Sequence, residues 1–164
     1  MSIRVTAYVG LGGNLGDAAA TLRAALEELD ALPETRLDRA SRLYRTPAWG
    51  IAEQPAFVNA VARLRTGLDA RTLLDELLAI ERQHGRDRSA ETRWGPRALD
   101  LDLLLYGDAR IDEPGLRVPH PHLQERAFVL LPLAEIAPDV AVPGAGSARQ
   151  AAAAVASDGI EAIG

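Results

Sequence analysis

Arg93-Trp94-Gly95-Pro96-Arg97-Ala98-Leu99-Asp100-Leu101-Asp102 carries two arginines on a Gly-Pro loop that runs into alternating leucine and aspartate. In an extended strand alternate side chains share a face, so Asp100 and Asp102 project the same way. Their Cα atoms lie roughly 6.5–7 Å apart at about 3.3 Å of rise per residue. Leu99, Leu101 and Leu103 take the opposite, buried face. Two carboxylates on a half-buried strand beside paired guanidiniums suit Mg²⁺ and phosphate. Magnesium takes one or two carboxylates plus phosphate oxygens and waters, and a guanidinium fork matches phosphate oxygens two at a time. An Asp-Leu-Asp on the solvent face of an edge strand is also ordinary, so the flanks matter. Between residues 82 and 97, Arg82, Arg86, Arg88, Arg93 and Arg97 outnumber Asp87 and Glu91 in a chain of net charge −5. Gly85, Gly95 and Pro96 argue against a regular helix there. A basic loop next to two acids favours phosphate binding.

Working outward, Ile3 to Val9 reads as a strand and Gly10 to Gly16 as a glycine-rich turn. Asp17 is positioned to cap a helix with Leu22, Ala25, Leu26 and Leu29 on its apolar stripe. Leu37 to Arg45 reads as a second strand ending at Thr46-Pro47, and Ala56 to Leu64 as a third. Asp69 caps a second helix that buries Leu73, Leu74, Leu77, Leu78 and Ile80. The Asp-Leu-Asp strand then runs to Tyr106, followed by a short return strand near Arg110-Ile111. A helical stretch from Glu125 to Ile136 is expected to kink or split at Pro132. Ser147 to Ala156 reads as an alanine-rich helix, and Ile160 to Gly164 as an edge strand. The order strand, helix, strand, strand, helix, strand predicts an α+β fold. It is a ferredoxin-like βαββαβ core with a mainly antiparallel sheet, additional C-terminal helices and α-β-α layers. One domain spanning residues 1–164 is expected.

Composition narrows the chemistry. There is no cysteine, which removes disulfides and thiolate sites. All eighteen basic residues are arginine, so a P-loop lysine, a kinase strand lysine and Schiff-base chemistry are excluded. Phosphate handling falls to arginine, histidine, backbone amides and metal. The acidic balance argues against nucleic-acid binding. No apolar run approaches the ~20 residues of a membrane span and no signal-like segment is apparent, so no membrane association and a cytoplasmic location are expected.

The remaining motifs are individually weak. Gly10 to Gly16 gives Gly-x-Gly-x-x-x-Gly, not the tighter dinucleotide spacing, and no acidic residue closes the second strand. A structural turn bringing backbone close to a substrate is the better reading. His84 and His122 read as surface histidines. His120, held between Pro119 and Pro121 and followed by Arg126, is a candidate for gripping phosphate or protonating a leaving group. Phe57 and Phe128, the only phenylalanines, suit core packing, but Asn59 shares a strand face with Phe57 and could hydrogen-bond a planar heterocycle.

Together these segments resemble the 6-hydroxymethyl-7,8-dihydropterin pyrophosphokinase family of folate biosynthesis. The resemblance is carried by Gly12-Gly13-Asn14-Leu15-Gly16, Tyr44-Arg45-Thr46-Pro47, Gln54-Pro55-Ala56-Phe57-Val58-Asn59-Ala60 and the Arg93 to Asp102 block. It continues through Val118-Pro119-His120-Pro121 and Arg126-Ala127-Phe128-Val129-Leu130. It implies transfer of pyrophosphate from ATP to the hydroxymethyl group of 6-hydroxymethyl-7,8-dihydropterin, with AMP released. Asp100 and Asp102 would hold two Mg²⁺ ions. Arg86, Arg97, His120 and Arg126 would serve catalysis, and with Glu81 and Arg88 they would bind ATP. Thr46, Pro47, Trp49, Phe57, Asn59, Trp94 and Phe128 would bind the pterin. The family also implies a monomer. Two alternatives use the same residues: a ferredoxin-like metabolite-binding module and a Mg²⁺-dependent phosphohydrolase.

Overall fold

The computed structural model describes residues 4–47, 55–85 and 98–164. A central sheet is built from β1 (Val5–Gly13), β2 (Thr35–Ala40), β3 (Tyr44–Thr46), β4 (Phe57–Thr66), β5 (Asp100–Tyr106) and β10 (Glu161–Ala162). Its order is β10-β3-β4-β1-β5, with β2 also paired to β4, and every pairing is antiparallel. The second, third, first and fourth core strands thus lie side by side in the expected ferredoxin-like arrangement. Helices α1 (Ala18–Asp30) and α2 (Ala70–Gln83) cover one face, and α3 (Ala127–Ile136) and α4 (Ala148–Ala154) the other. Two further hairpins, β6 (Ile111–Glu113) with β7 (Leu116–Val118) and β8 (Ala141–Val142) with β9 (Gly146–Ser147), stand apart from the main sheet.

The helices begin where the sequence provides caps. Asp17 accepts from the Ala20 N–H at 3.1 Å, and Asp69 accepts from the Thr72 N–H at 2.7 Å. Ser147 and Gln150 close a reciprocal capping box on α4. Below the sheet, Leu22, Ala25 and Leu29 of α1 and Leu73, Leu77 and Ile80 of α2 pack on Val9, Leu11, Leu64 and Leu101. Above it, Leu130, Leu133 and Ile136 of α3 pack on Tyr8, Val61, Leu104 and Leu105. Leu104 and Leu105 both reach this upper core because Val9 pairs with Leu103 while Tyr8 pairs with Leu105, a bulge that leaves Leu104 as the extra residue.

Several expectations change. The segment Gly10 to Gly13 is strand, not turn: β1 continues to Gly13 and only Leu15 to Asp17 bends, with Gly16 at φ +60°. The expected strand Leu37 to Arg45 is two strands end to end along β4. Ser41 breaks it, since its N–H donates to the Val61 carbonyl at 2.9 Å while its own hydroxyl accepts the Val61 N–H at 3.0 Å. On α2, Leu74 and Leu78 are only half-buried, so the leucine stripe is wider than the core requires. Helix α3 starts at Ala127 after a short 3-10 turn (Leu123–Glu125) and is not split at Pro132. The proline removes one intrahelical bond, but full burial of Leu130 and Leu133 around it holds the helix together.

Helix α3 is also tied to the sheet edge through polar groups. The Tyr44 hydroxyl donates to Glu135 Oε1 at 2.5 Å, and the Arg42 backbone N–H donates to Glu135 Oε2 at 3.1 Å. Burial is the main reason the Tyr44 phenol is held above its usual range, with the Glu135 carboxylate adding to the effect. Glu135→Ala is expected to lower unfolding free energy by about 1 kcal/mol, and Glu135→Gln to lower it less because the amide oxygen still accepts from Tyr44. Urea denaturation midpoints of the two variants test this.

Candidate active site

Register places the sequence candidates on one face of the sheet. Tyr44 lies opposite Asn59, Asn59 opposite Gly12, and Gly12 opposite Asp100. One row along, Val61 lies opposite Gly10, and Gly10 opposite Asp102. Thr46 pairs with Phe57 at the near end. Because side chains alternate, Thr46, Phe57, Asn59, Asp100 and Asp102 all share the face that carries α3. At ~4.8 Å between strands, Asn59 and Asp100 stand about 10 Å apart across the bare backbone of β1.

The glycines make that floor. A Cβ at Gly12 would sit 2.8 Å from Asn59 Nδ2, inside any tolerable contact, so the amide occupies the space a side chain would need. Nearby, Asn14 is buried and its Nδ2 donates to the Pro55 carbonyl at 3.0 Å, pinning the end of β1 to the approach to β4. Two buried polar atoms in this region, Thr46 Oγ1 and Asn59 Oδ1, have no hydrogen-bond partner among the described residues. A buried acceptor left unmade costs about 1–3 kcal/mol. Both atoms belong to the sheet face that carries α3.

On the opposite side of the floor, Leu99, Leu101 and Leu103 are buried as expected while Asp100 and Asp102 are half-exposed. Arg126, the residue that starts α3, brings Nη1 to 3.8 Å from Asp102 Oδ2, and its guanidinium lies 5.7 Å from the Phe128 ring centre. The outer edge of β5 is occupied from two directions. The buried Glu81 carboxylate accepts the Leu101 N–H at 2.7 Å, and the His120 N–H donates to the Leu104 carbonyl at 2.9 Å. Glu81 thereby grips the strand between the two aspartates. A cavity of about 300 Å³ opens along this edge, lined by Leu74, Leu78, Leu116, Arg117, Asp102 and His120 among others. Leu74 and Leu78, the leucines in excess of the core, are its apolar wall. Arg117 was not anticipated from sequence, although the Leu-Arg-Val alternation around it is a strand signature that turns one polar side chain outward.

His120 Nδ1 accepts the His122 N–H at 3.2 Å, which leaves its proton on Nε2. Its pKa is lowered from 6.5 to about 4, first by burial and then by the Arg126 and His122 charges, with Asp100 opposing. The ring is therefore a neutral donor at pH 7. His84 and His122 instead contact carboxylates, Glu28 at 2.8 Å and Glu125 at 3.3 Å. Of the other sequence candidates, Trp49 and the loop residues Arg86, Arg88, Arg93, Trp94 and Arg97 lie outside the described residues.

Among the described residues no group of three or more His, Cys, Asp or Glu side chains forms a cage for a metal ion. Asp100 and Asp102 fit a divalent cation that takes its remaining ligands from phosphate and water, as Mg²⁺ does. This combination of a glycine-floored antiparallel sheet, a carboxylate pair and a neutral histidine beside arginine defines a phosphate-handling α+β enzyme site. Residues 8–138 match the model of the 7,8-dihydro-6-hydroxymethylpterin-pyrophosphokinase family. The chain is 50% identical over 154 residues to the 2-amino-4-hydroxy-6-hydroxymethyldihydropteridine pyrophosphokinase of Pseudomonas aeruginosa, covering 94% of each chain. It is 46% identical over 157 residues to the enzyme of the same name from Methylorubrum extorquens, covering 96% of this chain and 98% of that one. The fold is similar to the crystal structure of Plasmodium falciparum HPPK-DHPS with pteroate, with a TM-score of 0.71 at 14% identity. There the match covers 93% of this chain and 43% of the longer one. The chain belongs to the 7,8-dihydro-6-hydroxymethylpterin-pyrophosphokinase family.

In ligand-free protein the His120 ring is expected to titrate near pH 4, well below its ordinary 6.5, and to shift upward when a nucleotide's phosphates are bound. An NMR titration of the ring carbons checks both statements; a free-protein midpoint near 6.5 contradicts the lowering by burial and by Arg126.

Proposed function

We infer that the protein transfers pyrophosphate from ATP to the hydroxymethyl group of 6-hydroxymethyl-7,8-dihydropterin, releasing AMP, as a step of folate biosynthesis. The single observation that carries the substrate assignment is the pair of orphaned acceptors, Asn59 Oδ1 and Thr46 Oγ1, on the same glycine floor as the two aspartates. The amide of Asn59 suits the donor and acceptor edge of a pterin, and the hydroxyl of Thr46 adds a third group. Phe57 and Phe128 are half-buried on this face and suit the two faces of the ring, with Pro47 and, by the family resemblance, Trp49 and Trp94 completing the enclosure.

The nucleotide takes the other side. The cavity along β5, apolar at Leu74 and Leu78 and polar at Arg117 and His120, accommodates the nucleoside part of ATP. His120 donates from Nε2 to a phosphate oxygen; a neutral imidazole holds the leaving AMP more readily than it protonates it. Arg126 exchanges its contact with Asp102 for phosphate when the nucleotide arrives, and the start of α3 directs unpaired N–H groups toward the same charge. Asp100 and Asp102 would hold Mg²⁺, two ions by the family resemblance, which would supply charge neutralisation to the transferring group. Glu81 keeps the carboxylate strand in register, next to the nucleotide. Arg86, Arg88 and Arg97 are assigned to phosphate by the family resemblance, Arg97 to transition-state charge.

The hydroxymethyl oxygen attacks the β-phosphorus in line, the bond from that phosphorus to the α,β-bridging oxygen breaks, AMP leaves carrying that oxygen, and the hydroxyl proton passes to solvent. Positioning and charge neutralisation account for most of the acceleration in such transfers. The protein is assigned as a monomer that binds ATP and the pterin, and no helix among the described residues is long and apolar enough to cross a membrane.

Incubation with ATP, Mg²⁺ and 6-hydroxymethyl-7,8-dihydropterin is expected to yield AMP only when the pterin is present. Phosphate release without pterin would point to a phosphohydrolase, and pterin binding without AMP to a metabolite-binding module. Asp100→Ala and Asp102→Ala are expected to lower kcat by at least ~10²-fold while the circular dichroism spectrum and melting temperature stay near wild type, since both side chains are half-exposed. Wild-type turnover in both variants would refute the metal assignment.

A further inference from the structure

Strand β3 presents Thr46 to the cleft, yet it is only three residues long. On one side it pairs with β4; on the other it is covered by β10, which lies beyond the residues matched by the family model. Glu161 pairs with Arg45 and Ala162 with Tyr44. The ladder continues past the strand, with the Ile163 N–H donating to the Leu43 carbonyl at 2.8 Å and the Leu43 N–H donating to the Gly164 carbonyl at 3.3 Å. At the other end of the tail, Gly159 adopts φ +82° and presses on Pro47: a Cβ there would lie 2.9 Å from Pro47 Cγ. The segment 159–164 therefore touches β3 from Leu43 to Pro47, along its whole length and into the residue that follows Thr46. The side-chain contribution is small, because Arg45 and Glu161 at 3.7 Å are both more than half exposed. Backbone bonding does the holding. Ile163, one of the exposed large apolar residues, contributes an N–H and little packing.

We propose that residues 159–164 are a positioning element for the acceptor substrate: by sandwiching β3 against β4 they fix Thr46 and Pro47 at the pterin edge. The proposal rests on the pterin reading of the cleft. Neither β10 nor Gly159 lines the cavity beside Asp102 and His120, so nucleotide binding is independent of the tail. A three-residue strand held on one side only samples more conformations, and each costs affinity for a ligand that needs Thr46 in one place.

Ile163→Pro removes the N–H that bonds Leu43 while Ile163→Ala keeps it, so the pair separates backbone pairing from side-chain packing. Binding of 6-hydroxymethyl-7,8-dihydropterin is titrated with Mg²⁺ and a non-hydrolysable ATP analogue present, and the analogue is titrated separately. The expected result for Ile163→Pro is a pterin Kd raised about fivefold, the equivalent of one backbone hydrogen bond, with analogue Kd unchanged. Ile163→Ala is expected to match wild type. Gly159→Ala, which leaves the ladder intact but crowds Pro47, is expected to weaken pterin in the same selective way and serves if the proline variant does not fold. Wild-type pterin affinity in both Ile163→Pro and Gly159→Ala overturns the proposal, and so does equal weakening of pterin and analogue, which marks a purely structural strand. Absence of pterin binding by the wild-type chain overturns the substrate reading itself, and the tail's role falls with it.

Discussion

Strand β1 carries no side chain at Gly10 and Gly12 on the face that meets α3, where the Leu104 and Asn59 side chains take the room instead, and the proposed site depends on that close approach. With Asn59 on one neighbouring strand and Asp100 and Asp102 on the other, the two glycines separate the proposed ring-binding edge from the proposed metal-binding edge by about 10 Å of backbone. Any Cβ at Gly12 would collide with the Asn59 amide, so the floor and the reader of the ring are one packing unit. The lower face of the same strand buries Val9 and Leu11 in the main core. The site is therefore carried by the most buried strand of the sheet.

Charge within the cleft is arranged by elimination. Without lysine, each basic side chain near the aspartates is an arginine whose charge is permanent, and the His120 imidazole is held neutral by burial and by Arg126. In the free protein Asp102 offsets Arg126, and the contact at 3.8 Å is loose enough to be exchanged. In the proposed reading a nucleotide with its magnesium would bring charge of both signs, offering new partners to the aspartates and to the arginine alike. Pre-arranged dipoles and charges of this kind stabilise a transferring phosphoryl group without reorganisation.

Much of this was legible in the order of residues, and the exceptions have physical causes. The Leu99, Leu101, Leu103 alternation located the aspartates on a common face, and the periodicity of α1 and α2 located the helices. Gly10 to Gly13 reads as a turn because glycine is usually there for φ freedom; here the reason is close approach, visible only once Asn59 and Asp100 are known to flank the strand. The break between β2 and β3 depends on the Ser41 hydroxyl standing in for a backbone acceptor, which no local propensity encodes. Leu74 and Leu78 look like core from their spacing, but a helix at a sheet edge can spend part of its apolar stripe on a cavity wall. Glu81 sits among buried leucines on α2, and its bond to Leu101 joins residues twenty apart in sequence.

The two edges of the proposed site are held by different contacts. The carboxylate strand β5 is bonded along β1 on one side, and its outer edge is taken up by the Glu81 carboxylate and the His120 N–H. Its buried leucines anchor it further, so the metal-binding pair has little freedom. The ring-binding edge relies on a three-residue strand, on Glu135 reaching down from α3 to Tyr44, and on β10 at the margin of the sheet. The two strands differ in length and position: β5 has seven residues, whereas β3 has three and buries Tyr44 and Thr46 between β4 and the marginal β10. In-line transfer tolerates little displacement of the groups that hold phosphate, and in the proposed reading the carboxylates lie on β5, the strand bonded along β1 and held at its outer edge by Glu81 and His120.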